Sequence, residues 1–439
     1  MIRRLILVPA AALVVAVSGL QFTARTGGLP WDAPTRSPDP TAIGTATPTP
    51  GPPGPSPIAS PSATPTAGPT VPPRIGPTAN ARISDRLQER LDALRRELGI
   101  PGIQASLVYP DGTSWTGVSG QADIASGAPV LPETPFALAS ISKSFTAAVI
   151  LQLVGSGELD LDGSVAERLP SLGLDGRITV RHLLDHTSGL NDYLVRTNVD
   201  RALRADLGAT WTPQKALSFV GKPYFLPGRG WHYSNTNYVV LSLLAEVVTG
   251  IPLSESIRER VFEPLGLTSA WYQGAEEPRG QLARAYRFAV GPPGGAAIEW
   301  RDGSAIVPFT SVVTATAGAG SIAASSLDVA RFARAMWGGG LVPDWVLDEA
   351  VADALRVGAR RGALPYGLGV QAYAVDGRPT LGHSGRFSGA RAVVRYLTDE
   401  GIAIAVLTNQ SRVDPSIVLA RLIAIAAPVH RAAPDAVAQ

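Results

Sequence analysis

Phe136-Ala137-Leu138-Ala139-Ser140-Ile141-Ser142-Lys143-Ser144-Phe145 is the stretch around which the rest of the chain arranges itself. Lys143 is one of three lysines among 38 basic residues; the other 35 are arginine. Arginine keeps its proton at any ordinary pH, whereas lysine gives it up once an apolar pocket disfavours its charge. Where only a charge is needed, this chain uses arginine. The spacing predicts a helix that starts at Ser140 and runs through Phe145, Ala148 and Leu151, with Ser140 and Lys143 on one face at i and i+3. A serine at a helix N-terminus gains from the dipole, and its own N–H is free to face an oxyanion. Ser140 is then a candidate nucleophile and a neutral Lys143 its base. The alternative is plain: Ser140 or Ser142 caps the helix and Lys143 is solvated.

Two further segments belong with it. Tyr233-Ser234-Asn235 lies in a Gly/Asn/Ser-rich stretch and reads as extended, so that Tyr233 and Asn235 point the same way. A phenol beside an ammonium has its pKa pulled down, which suits Tyr233 to relaying protons. The two-sided amide of Asn235 suits it to holding Lys143 and a substrate amide oxygen. On its own the segment reads first as a turn with a buried tyrosine. His383-Ser384-Gly385 precedes the apolar run Ala390–Leu397. On an edge strand its backbone aligns a substrate, and Gly385 allows close approach. His186, in Asp185-His186-Thr187-Ser188-Gly189-Leu190, reads as structural, closing a helix at Gly189.

Composition narrows the chemistry. The net charge of +2 and the absence of a Lys/Arg-rich run after Arg4 provide no face for nucleic acid. With no cysteine there is no disulfide, no thiolate zinc ligand and no thiol nucleophile. The five histidines lack HExxH spacing, so no metal is called for, and no cofactor. Arg3-Arg4 followed by an apolar run to about Leu20 is an export arrangement. It predicts a signal peptide or membrane anchor over residues 1–24 and an extracytoplasmic location, secreted or held at the membrane. Residues 25–79 read as a disordered Pro/Thr/Ser-rich linker, with 16 of the 38 prolines between Pro30 and Pro77.

The folded domain is expected over residues 80–430, with a tail at 431–439. Leucines at helical spacing predict a helix up to Gly99, and Ile103–Tyr109 with Thr113–Ser119 read as a hairpin. Ala390–Leu397 and Ile402–Thr408 read as strands, and about Pro415–Ala427 as a closing helix. Between them lie helical patterns at Lys143–Gly155, Val180–Asp185, Thr236–Thr249 and Ser326–Trp337. The expected fold is α+β: one antiparallel β-sheet drawn from both ends of the domain, flanked by helices, with an inserted mainly helical lobe.

The order Ser-x-x-Lys, Tyr-x-Asn, His-x-Gly resembles the class C β-lactamase and penicillin-binding serine hydrolase family over roughly residues 81–428. Secondary segments resemble it too: His186–Leu190, Phe262–Leu267, Gly318–Ser321 and Tyr366–Gly369. The resemblance implies Ser140 as nucleophile, Lys143 as base or its partner, Tyr233 as second proton carrier and Asn235 as anchor. It implies His383, Ser384 and Gly385 as substrate-binding, with the backbone N–H groups of Ser140 and Arg386 as oxyanion hole. Lactamases of the family usually carry Lys where this chain has His383. That ranks a D-alanyl-D-alanine carboxypeptidase-like activity on a small-molecule or peptidoglycan-type substrate above an esterase or a lactamase. If His383 holds a carboxylate as imidazolium, activity on anionic substrates falls above neutral pH. Arg386 is a second source of charge, though strand alternation puts it opposite His383. A non-catalytic cell-wall-binding or sensory module is the alternative of another class; oligomeric state is not legible.

Overall fold

The computed structural model describes residues 81–288, 297–358 and 365–427, all within one compact unit. The expected leader or anchor, the linker and the tail lie outside the described residues. The architecture is a seven-stranded antiparallel sheet with helices on both faces and a helical lobe between its two halves. The first half is the helix α1 (Ala81–Glu97) followed by β1 (Gly102–Val108), β2 (Ser114–Asp123) and β3 (Ala128–Pro129). The second is β4 (Gln371–Val375), β5 (Arg378–Phe387), β6 (Ala390–Leu397) and β7 (Ile402–Thr408). Strand order is β3-β2-β1-β7-β6-β5-β4, so β1 and β7 meet in the middle, with Ile103 opposite Thr408.

Strand periodicity explains why both faces are covered. Along β7, Ala403, Ala405 and Leu407 join the core beneath the lobe, while Ile402, Ile404 and Val406 join a second core. That second core is closed by Leu87, Leu91 and Leu94 of α1 and by Val418, Leu419 and Leu422 of the last helix, α6 (Ser416–Ala426). Residues i and i+2 share a strand face, so one apolar run serves two cores.

The lobe holds α2 (Ser142–Gly155), α3 (Asn235–Thr249), α4 (Ser326–Trp337) and α5 (Asp344–Gly358). Helix α2 is buried from Ser142 to Leu151 without interruption, which makes it the central post of the molecule. Two details depart from the sequence reading. Val180–Leu184 is the short helix expected at 180–185, but it ends before Gly189; His186 itself takes the left-handed conformation, φ 65°. Asn235 is not extended: Ser234 has extended angles, and Asn235 starts α3.

Candidate active site

Ser140 sits on a 3₁₀ turn, Ala139–Ile141, that runs directly into α2. Neither Ser140 nor Ser142 caps the helix. The Ser142 hydroxyl instead accepts the N–H of Ile322 at 3.0 Å, while Leu138 N–H donates to the Ile322 carbonyl at 2.9 Å. These bonds pin the turn to the strand Ile322–Ala324, which pairs with Phe136–Ala137. The turn is strained: Ala139 has φ 48°, which costs a residue with a Cβ about 1–2 kcal/mol.

Lys143 is fully buried. Its Nζ lies 3.1 Å from Ser140 Oγ, 2.7 Å from Asn235 Oδ1 and 2.9 Å from the Ala319 carbonyl. Burial pushes the ammonium down to about 7, against the pull of the Asp192 carboxylate. The contacts suit the neutral amine. Asn235 and Ala319 offer oxygens that only accept, so they take its two N–H groups, and the lone pair is left facing Ser140 Oγ.

Asp192 did not stand out in the sequence. It is buried, accepts from Asn235 Nδ2 at 3.0 Å and from Leu194 N–H at 3.1 Å, and burial raises its carboxyl. Asn235 therefore bridges the lysine and an acid, with the second hydrogen of its amide nitrogen left over. An aspartate two residues after an apolar leucine was the only signal. The Ala319 carbonyl lies in the Gly318–Ser321 segment, held by Thr146 Oγ1 donating to Gly318 O at 2.8 Å.

Tyr233 shares a hydrogen bond with Ser140, and its ring centroid is 5.0 Å from Lys143 Nζ. The expected lowering of its pKa does not occur. Burial dominates and pushes the phenol up, so Tyr233 is a neutral hydroxyl at any physiological pH. His186 packs against it at 4.3 Å between ring centroids, and its Nδ1 accepts the Ser234 N–H at 3.2 Å. A histidine in the left-handed conformation thus sets the entry of Tyr233 into the pocket.

His383 overturns one expectation. It is 1% exposed; Nδ1 donates to the Ser384 carbonyl at 2.7 Å, and Nε2 accepts from the Tyr366 hydroxyl at 2.9 Å. Burial pushes it down to about 3, helped by Lys143. With both nitrogens engaged and the ring neutral, it holds no substrate carboxylate as imidazolium. What it anchors is its own strand. β4 pairs only with residues 378–382 of β5, so Ser384–Phe387 form a free edge against the Ser140 turn. A Cβ on Gly385 would stand 2.0 Å from the Leu138 carbonyl and 3.3 Å from the Ser140 nitrogen, so only glycine lets the edge lie there. Ser384 and Arg386 are exposed on the other side of β5 from His383. A pocket of about 450 Å³ is lined by Ser140, Tyr233, His383, Ser384, Gly385 and Arg386, and by Arg391 and Asp414. The structure thus brings Ser140, Lys143, Tyr233 and Asn235 together with the free edge of β5.

The chain is similar in sequence and in fold to known proteins. A profile of the family described as Beta-lactamase matches residues 85–427. The chain is 31% identical over 344 residues to Penicillin-binding protein 4 of Amycolatopsis lactamdurans, spanning 72% of this chain and 83% of the relative. It is 29% identical over 357 residues to Esterase EstB of Burkholderia gladioli, 72% of this chain and 88% of the relative. Among solved structures, a D-stereospecific amidohydrolase from Streptomyces sp. matches with TM-score 0.64 at 27% identity, over 80% of this chain and 99% of that one. A D-amino acid amidase from Ochrobactrum anthropi SV3, complexed with D-phenylalanine, matches with TM-score 0.66 at 25% identity, over 79% and 100%.

Proposed function

The chain belongs to the β-lactamase family of serine hydrolases, and from that premise we propose that it is an exported hydrolase working through a Ser140 acyl-enzyme, with D-alanyl peptides of the cell-wall type as substrate. The observation that carries the mechanism is the buried Lys143, whose two obligatory acceptors leave its lone pair to Ser140. Neutral Lys143 takes the hydroxyl proton as Ser140 Oγ attacks the amide or ester carbonyl. The oxyanion that forms is held by the backbone N–H groups of Ser140 and Arg386; donors of this kind are worth about 3 kcal/mol each. The proton then passes to the leaving nitrogen or oxygen, with the Tyr233 phenol as the group that hands it over, and the bond to the leaving group breaks. Water reverses the sequence to release the acid and regenerate Ser140.

The D-alanyl assignment draws on the named relatives, one a penicillin-binding protein, and on the free edge of β5, against which an extended peptide aligns. Arg3-Arg4 with its apolar run supports export, and an uncleaved run would leave the protein at the membrane. An esterase is the second reading, favoured by the neutrality of His383 and the likeness to Esterase EstB.

Intact mass of the protein after mixing with benzylpenicillin, with Ser140→Ala alongside, tests the proposal. A lasting adduct on wild type alone supports a penicillin-binding D,D-peptidase. Consumption of the antibiotic without an adduct makes the protein a lactamase. An untouched antibiotic together with ester hydrolysis selects the esterase. A label that survives in Ser140→Ala removes Ser140 from the mechanism.

A further inference from the structure

Behind the active site two buried carboxyl groups meet. Asp185 follows the short helix Val180–Leu184, and Asp353 lies on α5; they are 3% and 2% exposed and within hydrogen-bond reach of each other. Asp353 Oδ1 is held by arginine, with Arg356 Nη2 at 2.5 Å and Arg181 Nη1 at 3.4 Å. Its buried Oδ2 takes no hydrogen bond from any N–H or hydroxyl among the described residues. Two ionised carboxylates can only accept, and buried side by side they repel. One proton between them removes the repulsion and supplies the missing donor. Asp353 has the guanidinium partners, so the proton belongs on Asp185. Asp185 Oδ1 accepts from neutral donors, the Thr187 N–H at 2.9 Å and the Thr187 hydroxyl at 2.6 Å. The other titratable groups around it bring no positive charge. Tyr238 on α3 and Tyr366 feel its field, and burial keeps both phenols protonated. Burial keeps His186 neutral, and Asp162 and Glu349 bind the same Arg181. Burial first, and then the Asp353 charge, push the Asp185 carboxyl up to about 8.

We propose that the Asp185 carboxylic acid donates to Asp353 Oδ2 and by that bond clamps the loop behind Tyr233 to the helix behind His383, which makes Asp185 a positioning residue for the hydrolase site. The inference rests on the serine hydrolase reading and adds an alkaline limit to it. On one side of the clamp the next residue is His186. Its carbonyl accepts the His232 N–H at 3.1 Å and its Nδ1 accepts the Ser234 N–H at 3.2 Å, so it holds both flanks of Tyr233. On the other side Ala350 and Ala354, one turn before Asp353 and one residue after it, carry Gly367. A Cβ at Gly367 would collide with the Ala350 carbonyl and stand 3.0 Å from the Ala354 nitrogen. Gly367 follows Tyr366, the donor to His383 Nε2 at 2.9 Å. Loss of the shared proton leaves two buried carboxylates facing each other, and the two supports are pushed apart.

The test reads the proton directly and through the reaction, on the full chain. Difference infrared spectra, wild type minus Asp185→Asn, should show the C=O stretch of a buried carboxylic acid at about pH 6 that is gone by about pH 10, with its midpoint near 8. With p-nitrophenyl butyrate, a neutral ester, wild-type kcat/KM corrected for spontaneous hydrolysis should decline by about 10-fold between pH ~8 and pH ~9.5. Asp185→Asn keeps an N–H donor that does not titrate. It should match wild type within about 2-fold near neutral pH and lack the decline. Asp185→Ala has no donor and should be about 10-fold slower at every pH, with circular dichroism unchanged. Absence of the carboxylic-acid band at about pH 6, or an equal alkaline decline in Asp185→Asn, overturns the clamp while leaving the hydrolase intact. Should no ester be hydrolysed, the band and its midpoint still decide the clamp, and it is the hydrolase reading that falls.

Discussion

Removing the charge of Asp192 tests how the site sets its base. The Asn235 amide spans the gap between Lys143 and Asp192, 2.7 Å from one and 3.0 Å from the other. That puts the charges roughly 6 Å apart, and their attraction at about 2–3 kcal/mol for an effective dielectric near 20. At about 1.4 kcal/mol per pKa unit, the carboxylate holds Lys143 up by about 1.5–2 units. In wild type, kcat/KM should rise with pH through about 7, where Lys143 loses its proton. In Asp192→Asn the protonated lysine has lost its anionic neighbour, so its pKa falls and the same limb should appear near pH ~5. The assay is the pH profile of kcat/KM for a neutral ester, which carries no titration of its own. A limb that stays near 7, or moves upward, refutes the electrostatic account even if the absolute rate drops.

Other outcomes follow from the same geometry. Gly385→Ala places a methyl 2.0 Å from the Leu138 carbonyl; the edge strand must retreat, and kcat/KM should fall by about 100-fold or more with circular dichroism unchanged. Tyr366→Phe removes the donor to His383 Nε2 and should cost about 1–3 kcal/mol in urea unfolding, the usual penalty for a buried group left unpaired. His383 is held neutral down to about pH 3, while an unfolded histidine binds a proton near 6.5. Stability should therefore fall as pH drops from about 6.5 towards 3, and His383→Gln should flatten that slope, as acid titrations of unfolding will show. Lys143→Arg should abolish acylation of Ser140 by benzylpenicillin, because a guanidinium does not accept the hydroxyl proton.

Local pattern made much of this legible. Ser326–Trp337, Ala390–Leu397 and Ile402–Thr408 have the bounds their apolar spacing predicts, and α6 differs by one residue at each end. Helix α3 begins one residue earlier than expected, whereas α2 begins at Ser142, two residues after the expected start at Ser140, because Ala139–Ile141 forms a 3₁₀ turn. Spacing is a property of neighbours along the chain, and these elements are stabilised by such neighbours. The partners of Lys143 are not: Ala319 and Asp192 reach it across long sequence separations, and nothing local distinguishes a carbonyl that will accept its N–H. The same limit misjudged Tyr233 and His383. The sequence displays a phenol near an ammonium and an imidazole where a lysine is usual. It does not display the burial that raises one and lowers the other.

The pairing of β1 with β7 at the centre of the sheet sets a timetable for synthesis. Ile103 meets Thr408 only when almost the whole domain has left the ribosome, and closing so long a loop is entropically costly before contacts reward it. The helices of the lobe have their neighbours close at hand and can condense early. The sheet that carries the β5 edge cannot, because its middle is missing until the last strand is made. A nascent chain interrupted between Gly155 and Ile402 thus has the residues of the Ser-x-x-Lys helix but no complete platform to hold a substrate against it, so hydrolytic competence arrives in a single late step.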